Sequence, residues 1–434
     1  MDTSLAIRRA EALIRSTDDA CIMTQHSSIL EGKNVGVIGF NARPIAASLR
    51  KRGAFTYVSD YWGDSDLKDV STGCIAILSP VPGIRQRQPL ELPLHQALID
   101  NLLTLTSDVE LDYVIAGSGF DDCAESLNLI HEKGLLTGTP PAQMSDSRNF
   151  ALLSVMLQNE RCKLPSRQII ETQEELRENS HSLKFPCLVR PVHSGGGSGI
   201  RLARNKKDLN LITTLKFEEA PALVIQEYIR GRDLSCSVLS TGTEARVVSV
   251  QNQLIGTPSA GRNCDFAYCG NSIPVDLYPQ VEKTIRETSE YLAVQLGLQG
   301  SIGFDFVVDI SDRVWLMEVN PRIQGTLEML EIAGDISITE QHVRASNGEL
   351  IEKLPTFDSA VKMIVYSRKT GAVPDLSKYL DVYDRSQKGI KVERRDPICT
   401  VIKSGGDIVD CYRRTCETAY EIQRQVLPLN EKTK

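Results

Sequence analysis

A parallel α/β domain followed by α+β structure is the fold class that the sequence predicts. Between residues 34 and 138, short apolar runs alternate with helical patterns, which implies a parallel sheet with right-handed crossovers. From about 148 to about 345, strand-like and helical patterns mix without regular alternation, the mark of α+β. The segment 355–434 then has strand-like runs of its own (VKMIVYS, PICTVIKSGG) and closes on a helix from about Cys411.

Each element has its own reason. The opening residues, MDTSLAIRRAEALIRS, read as a short amphipathic helix within an N-terminal segment, 1–33, and lack a signal-peptide apolar core. NVGVIG (34–39) is an apolar strand that ends in Gly. The helical pattern from Pro44 to Arg52 has its proline near the first turn, where the missing N–H has no partner to lose. Phe55–Ser59, CIAILSP (74–80) and LDYVIAG (111–117) are further buried strands, with helices near 94–106 and 121–133. Residues 34–138 therefore read as a Rossmann-like domain. It has no G-x-G-x-x-G, and Gly39 stands alone after the first strand, so a scaffold is predicted whose strand ends help to shape a substrate pocket. TGTPPAQMSDS (137–147) reads as a linker, with a helix from Arg148 to Asn159 after it. The last segment, 349–434, reads as a third module packed on the second.

The chain has 434 residues and a net charge of −7 (49 − 56), with no Lys/Arg-rich tract, which argues against nucleic acid or an anionic membrane as the main partner. No run of about 18 apolar residues is present, so no transmembrane helix is predicted. Together with the opening residues, this makes the cytosol the expected compartment. The eleven cysteines are scattered, and several (Cys74, Cys187, Cys236) sit in apolar runs as small hydrophobes. Cys264/Cys269 and Cys411/Cys416 are spaced C-x4-C, without the C-x2-C knuckle of a zinc site. The first pair, in GRNCDFAYCG, either lines an acceptor pocket or consists of plain loop residues.

Three segments carry chemistry. In FPCLVRPVHSGGGSGIRLA (185–203), a strand leads into Ser194, Gly195, Gly196, Gly197, Ser198 and Gly199, and a second strand leaves at Ile200. So many glycines raise the entropy lost on folding, yet they let backbone N–H groups approach an anion closely. Arg190, just ahead, offers a forked donor to a phosphate. His193 reads as a strand-end imidazole rather than a ligand.

In GSIGFDFVVDISDRVWLMEVNPR (300–322), two β-rich runs flank Ser311-Asp312. A hairpin centred there pairs Phe304, Phe306 and Val308 with Val319, Met317 and Trp315 on one apolar face, and Asp305 with Glu318 on the other. Asn320 shares the polar face. Two facing carboxylates repel unless a cation lies between them, and two acid oxygens plus an amide oxygen are hard ligands suited to Mg²⁺. Arg322 follows in the loop, where a cation can face developing negative charge. In ALVIQEYIRGRDLSCSVLS (222–240), a strand from Leu223 to Gln226 passes through Glu227-Tyr228-Ile229 into another strand. It reads as an inter-lobe hinge whose backbone faces a base and whose Asp233 faces sugar hydroxyls.

In this order and spacing the three segments resemble the ATP-grasp superfamily over about residues 140–345. The resemblance implies a pre-ATP-grasp domain at 34–138 and a two-lobed ATP-grasp domain at 139–348 (lobes 145–225 and 226–348), with a small α+β domain at 349–434. It implies ATP and one or two Mg²⁺ (or Mn²⁺) as cofactors. Loop 194–199 would cover the phosphates. Arg190 and Arg148 stand where the family usually has lysines. Glu227 and Ile229 would hold adenine through backbone atoms, Gln226 a nearby polar contact and Asp233 the ribose. Asp305, Glu318 and Asn320 would hold the metal. Residues 318–334 also look like the biotin carboxylase branch, except that Thr326 stands where that branch has a catalytic Glu. Taken whole, the chain is similar to a group of predicted ATP-dependent carboligases.

The activity implied is ligation: a carboxylate is activated as an acyl-phosphate and joined to an amine, with Arg322 and Arg190 as catalytic cations. The partners are the two small-molecule substrates, and a homodimer is the commonest symmetric assembly. Carboxylation through carboxyphosphate and a catalytically silent nucleotide-binding regulator are the alternatives.

Overall fold

The computed structural model describes residues 28–85, 92–158, 160–179, 183–192, 195–216, 222–263 and 266–428; the predicted N-terminal amphipathic helix, His193, Ser194 and Cys264 lie outside them. The first domain is built on β1 (Asn34–Gly39), β2 (Phe55–Asp60), β3 (Gly73–Ala76), β4 (Tyr113–Ala116) and β5 (Leu136–Thr137). They form one parallel sheet in the order β3-β2-β1-β4-β5. The order reverses between β1 and β4, and such a switch point opens a crevice at the carboxyl ends of the strands. Helices Arg43–Lys51 and Leu94–Leu105 cover the sheet as predicted. The helix predicted over 121–133 is shorter: a loop runs through Cys123 into a 3₁₀ turn, Ala124–Leu127, and a helix only at Asn128–Glu132.

The predicted linker 137–147 is largely helix, Pro141–Arg148. Its Pro-Pro start reads as a turn, yet proline in the first turn is preset for a helix. Asn149 then breaks the chain direction and caps the next helix, Phe150–Met156, its side chain accepting from the N–H groups of Ala151 and Leu152.

The next lobe is a four-stranded antiparallel sheet in the order β6-β9-β7-β8, made of β6 (Arg167–Ile170), β7 (Cys187–Pro191), β8 (Arg201–Ala203) and β9 (Leu223–Glu227). The second lobe supplies β10 (Gly231–Thr241), β11 (Ala245–Ile255), β12 (Tyr268–Ile273), β13 (Gln299–Asp309) and β14 (Val314–Asn320). The C-terminal segment adds β15 (Ala360–Tyr366), β16 (Gly371–Ala372), β17 (Val382–Tyr383), β18 (Lys391–Val392) and β19 (Pro397–Ser404). Its strands extend the sheet of the second lobe: β15 pairs with β12, β19 with β15, and one eight-stranded sheet runs β14-β13-β10-β11-β12-β15-β19-β17.

Alternation sorts the two faces of that sheet. Leu234, Cys236 and Val238 of β10 and Ile302, Phe304 and Phe306 of β13 pack in one buried cluster with Val281, Ile285 and Leu292 of helix Pro279–Gln295. The opposite face of the same strands carries Asp233, Ser235, Ser237 and Asp305.

One buried arginine ties the blocks together. Arg43, at the start of its helix, donates from Nε to Asp384 Oδ1 at 2.7 Å and from Nη1 to Glu328 Oε1 at 3.1 Å, with Nη2 on Glu328 Oε2. Burial alone would raise the Asp384 carboxyl, but Arg43 and Lys362 outweigh it and hold it down at about 2. Removing one partner of a buried pair strands the others' charge. Arg43→Met is expected to lower stability by about 3–5 kcal/mol in urea denaturation, and a loss under about 1 kcal/mol would show that the network is not a clamp.

Candidate active site

The site is built from the β13–β14 hairpin outward. As predicted, Phe304 lies opposite Val319 and Asp305 opposite Glu318. Beyond that point the register slips: Phe306 faces Leu316 and Val308 faces Val314, so the predicted Phe306–Met317 and Val308–Trp315 pairs do not form and Met317 is a bulge. The cause is at the turn. Asp309 accepts from the N–H groups of Ser311 (2.8 Å) and Arg313 (3.2 Å) and from Trp315 Nε1 (2.9 Å), which tightens the loop. The Lys163 segment also pairs with the outer edge of β14, its N–H on Val314 O at 2.9 Å.

Asp305 is gripped on both oxygens. Gln253 Nε2 donates to Oδ1 at 2.8 Å and Asn320 Nδ2 to Oδ2 at 3.1 Å. Burial, and then the facing Glu318, push its carboxyl up to about 7. Asn320 thus shares the polar face, as read from the sequence.

Guanidinium groups surround this pair. Arg148 ends helix Pro141–Arg148, where a cation meets the negative end of the helix dipole. Its Nη1 donates to Glu318 Oε1 and its Nη2 to Asp122 Oδ1 at 3.0 Å. Burial would lower its pKa, but Glu318, Asp121 and Asp122 raise it. Arg322 Nε sits 2.9 Å from both oxygens of Asp121, and its Nη2 is 3.3 Å from Asn320 Oδ1. Both arginines, read from the sequence as cations open to substrate, are therefore held by carboxylates of the first domain. Sequence reasoning missed Asp121 and Asp122. Their signal is the acidic doublet in GSGFDD, directly after a parallel strand at the switch point.

Arg190 on β7 lies opposite Val224, and Arg167 on β6 lies opposite Gln226, so Arg190, Arg167 and Gln226 share one face of their sheet. Arg167, also missed, stacks over the Phe150 ring at 3.9 Å. Burial, then Arg190 and Arg148, push its pKa down to about 10. Arg190 is lowered by burial and by Arg148, against the pull of Glu318. Among the described residues neither Arg167 nor Arg190 makes an ion pair, and only the charges of Glu318 and Asp122 pull on Arg190 from a distance.

The glycine loop closes over the same space. Gly196, Gly197 and Gly199 have φ of +59°, +76° and +76°. A Cβ on Gly197 would stand 1.7 Å from Phe266 O, and Gly196 O accepts from the Tyr268 N–H at 3.1 Å. Gly195 O accepts from the Ser198 N–H at 3.1 Å, a tight turn within the loop. Only glycine fits this seating against the other lobe. At the hinge the Glu227 N–H donates to Ser166 O at 2.8 Å. Ile229 lies in the segment between β9 and β10. Asp233 is half-buried on the polar face, and burial pushes its carboxyl up to about 6. Cys269 is buried in β12 beside Met363 and Val365.

Residues 151–326 match a family model described as the ATP-grasp domain. The chain contains an ATP-grasp domain. An uncharacterized protein of Methanocaldococcus jannaschii is 22% identical over 375 residues, 84% of this chain and 87% of its own. The large chain of carbamoyl phosphate synthase from Clostridium botulinum is 24% identical over 262 residues, 59% of this chain but only 24% of that protein. In fold, the chain is similar to the ADP complex of N5-carboxyaminoimidazole ribonucleotide synthetase (TM-score 0.68, 16% identity, 92% of this chain and 100% of that one). It is also similar to the biotin carboxylase domain of 2-oxoglutarate carboxylase from Hydrogenobacter thermophilus, solved with ADP, MgADP and bicarbonate (0.70, 15%, 89% and 90%). L-amino acid ligase from Bacillus licheniformis shares the fold as well (0.65, 16%, 90% and 98%). No helix among the described residues is long and apolar enough to cross a membrane.

Within the ATP-grasp domain, the loop after β14 is fixed by small residues beneath it. A Cβ on Gly303 would meet Gln324 Nε2 at 1.8 Å; its absence lets Gln324 lie flat and accept from Ser237 Oγ at 2.8 Å. Thr326 is buried, its hydroxyl 3.2 Å from Ser237 Oγ.

The raised Asp305 carboxyl has a consequence for stability. In the folded ligand-free domain it keeps its proton to about pH 7, whereas the unfolded chain releases it near 3.8. Between those values the folded state binds more protons, so stability falls as pH rises through that window. Asp305→Asn is expected to make the fall shallower when denaturation midpoints at about pH 5 and about pH 7.5 are compared. A slope equal to the wild type's would contradict the raised value.

Proposed function

We propose that the protein is an ATP-dependent ligase that activates a carboxylate and joins it to an amine. A carboxylate oxygen attacks the γ-phosphorus of ATP, the bond to the bridging oxygen breaks, and ADP leaves. The amine nitrogen then attacks the acyl carbon, phosphate departs, and the nitrogen loses its proton. Phosphoryl transfer of this kind depends on positioning and charge neutralisation rather than on covalent help from the protein.

The observation that carries the reading is the juxtaposition of Arg167 and Arg190, guanidinium groups without ion-pair partners among the described residues, with the facing carboxylates Asp305 and Glu318. Anionic phosphates suit the first pair and a divalent cation the second. The donor set fits Mg²⁺: two carboxylates opposed in register, one pushed up by burial and then by the other, and an amide oxygen on Asn320. A bound Mg²⁺ would offset the charge of the phosphates. Loop 195–199 would exclude water from the acyl-phosphate, as its contact with Phe266 and Tyr268 already closes the lobes. Arg148 would pass from Glu318 to the phosphates when the metal arrives. Arg322, oriented by Asp121, would face the tetrahedral oxyanion. Gln226, Ile229 and Asp233 would hold the nucleoside. Thr326, a buried hydroxyl where bicarbonate activation would need an acid, weighs against carboxylation.

Glu318→Gln is expected to abolish ADP release in a coupled assay with a panel of amino acids, by about 10²-fold or more, with the melting temperature unchanged. Wild-type turnover in that variant would remove the metal assignment. Arg190→Ala is expected to raise the KM for ATP about tenfold or more, and an unchanged KM would place the nucleotide elsewhere.

A further inference from the structure

The C-terminal segment has no part in the chemistry above, yet one of its side chains reaches the loop after β14. Lys362 lies in β15, opposite Asn271 of β12, and is only 3% exposed. Its Nζ donates to Gly325 O at 2.5 Å. Burial lowers its pKa, and the charges of Asp384 and Glu328 oppose that from a distance, with no ion pair among the described residues. An ammonium buried without an ion pair costs stability, so packing of the core does not account for it.

The loop it holds is gripped from three blocks of the molecule. Asp121 of the first domain takes Arg322, Ser237 of β10 takes Gln324, and Lys362 of the C-terminal segment takes Gly325. Gly325 also lies against Tyr268: a Cβ on it would stand 3.6 Å from Tyr268 Oη and 3.9 Å from Lys362 Nζ. The Tyr268 hydroxyl donates to Asn271 Oδ1, the residue opposite Lys362. The Tyr268 N–H holds Gly196 O of the glycine loop at 3.1 Å, and its carbonyl accepts from Tyr366 Oη of β15 at 2.7 Å. Strands β12 and β15 thus support, at adjoining points, the loop that carries Arg322 and the loop that covers the phosphates. Gly325 follows Arg322 by three residues, so a backbone shift at one moves the other. A displacement of about 1 Å at a reacting group can cost about 10²-fold in rate.

We propose that Lys362 is a positioning residue for ligation: by holding Gly325 O it fixes the loop from Pro321 to Thr326, and with it the aim of Arg322 at the acyl-phosphate. The C-terminal segment is thereby a working part of the active site. Lys362 acts through the loop and not on the reacting atoms. The step it serves is amine attack on the acyl carbon, because the group this loop aims is Arg322, whereas Arg167 and Arg190 stand on the sheet of the other lobe. The assignment to ligation rests on the ligase reading; the anchorage of the loop does not.

The test compares the wild-type full chain with Lys362→Met, which keeps most of the volume and removes the donor, and with Lys362→Arg, which keeps a cationic donor. Backbone hydrogen exchange is followed with Mg²⁺ and a non-hydrolysable ATP analogue, and coupled ADP release is measured with a panel of amino acids. In Lys362→Met, exchange at residues 322–326 is expected to rise about tenfold or more, while that of helix Pro279–Gln295 stays within about twofold. Its kcat is expected to fall about tenfold or more with the KM for ATP within about twofold, and Lys362→Arg to lie between Met and wild type in both readouts. If Lys362→Met does not fold, Lys362→Gln, which is too short to reach Gly325 O, is judged by the same readouts. Wild-type exchange at 322–326, a rise spread equally over the helix and the loop, or a loss carried by the KM for ATP would overturn the proposal. Faster exchange confined to 322–326, without ADP release by the wild type for any amino acid, would sustain the anchorage and sink the ligase reading instead.

Discussion

Asp305 and Glu318 face each other across a strand pair whose other side is core, and that repulsion organises the rest of the site. The strands are held in this register by Phe304, Phe306 and their partners against helix Pro279–Gln295, so the two carboxylates cannot slide apart. Without ligand, the molecule relieves the repulsion in two ways: Asp305 is pushed toward its protonated form, and Glu318 takes Arg148. A divalent cation held by Asp305 and Glu318 would relieve it better and would free the arginine. The same ion-pair rearrangement would thus couple metal arrival to phosphate binding, without a large motion of the backbone.

The domains are joined through charge rather than through apolar surface alone. Asp121 and Asp122 reach from the switch point of the first domain to Arg322 and Arg148, and Arg43 from the same domain clasps Glu328 and Asp384. Asp121, Asp122 and Arg43 of the first domain therefore each have a partner close to the loop after β14. That loop is where ligation chemistry would occur, which gives the scaffold domain a direct hold on the geometry of the reaction.

Much of this was readable in the sequence, because strand registers are local. The pairing of Asp305 with Glu318 follows from a hairpin centred on Ser311-Asp312 and from alternation alone. The glycine loop and Arg190 follow from neighbouring residues in a single segment. The slip beyond Asp305 did not show, because it depends on Asp309 gripping Trp315 and on a distant strand segment at Lys163. Likewise Pro141 reads as punctuation in the sequence yet starts a helix, since the turn signal and the first-turn signal are the same residue. Asp121, Asp122 and Arg167 were missed because their partners lie in other domains or on other strands, and no spacing rule connects them. The continuous eight-stranded sheet was hidden for the same reason: β12 and β15 are nearly ninety residues apart.

The most direct test is a crystal structure of the full chain with a non-hydrolysable ATP analogue and Mg²⁺. The account predicts a metal between Asp305 and Glu318, the triphosphate on Arg167 and Arg190 beneath the glycine loop, and Arg148 turned away from Glu318. A nucleotide bound elsewhere, or an Arg148–Glu318 pair unchanged with no metal between the carboxylates, would contradict it.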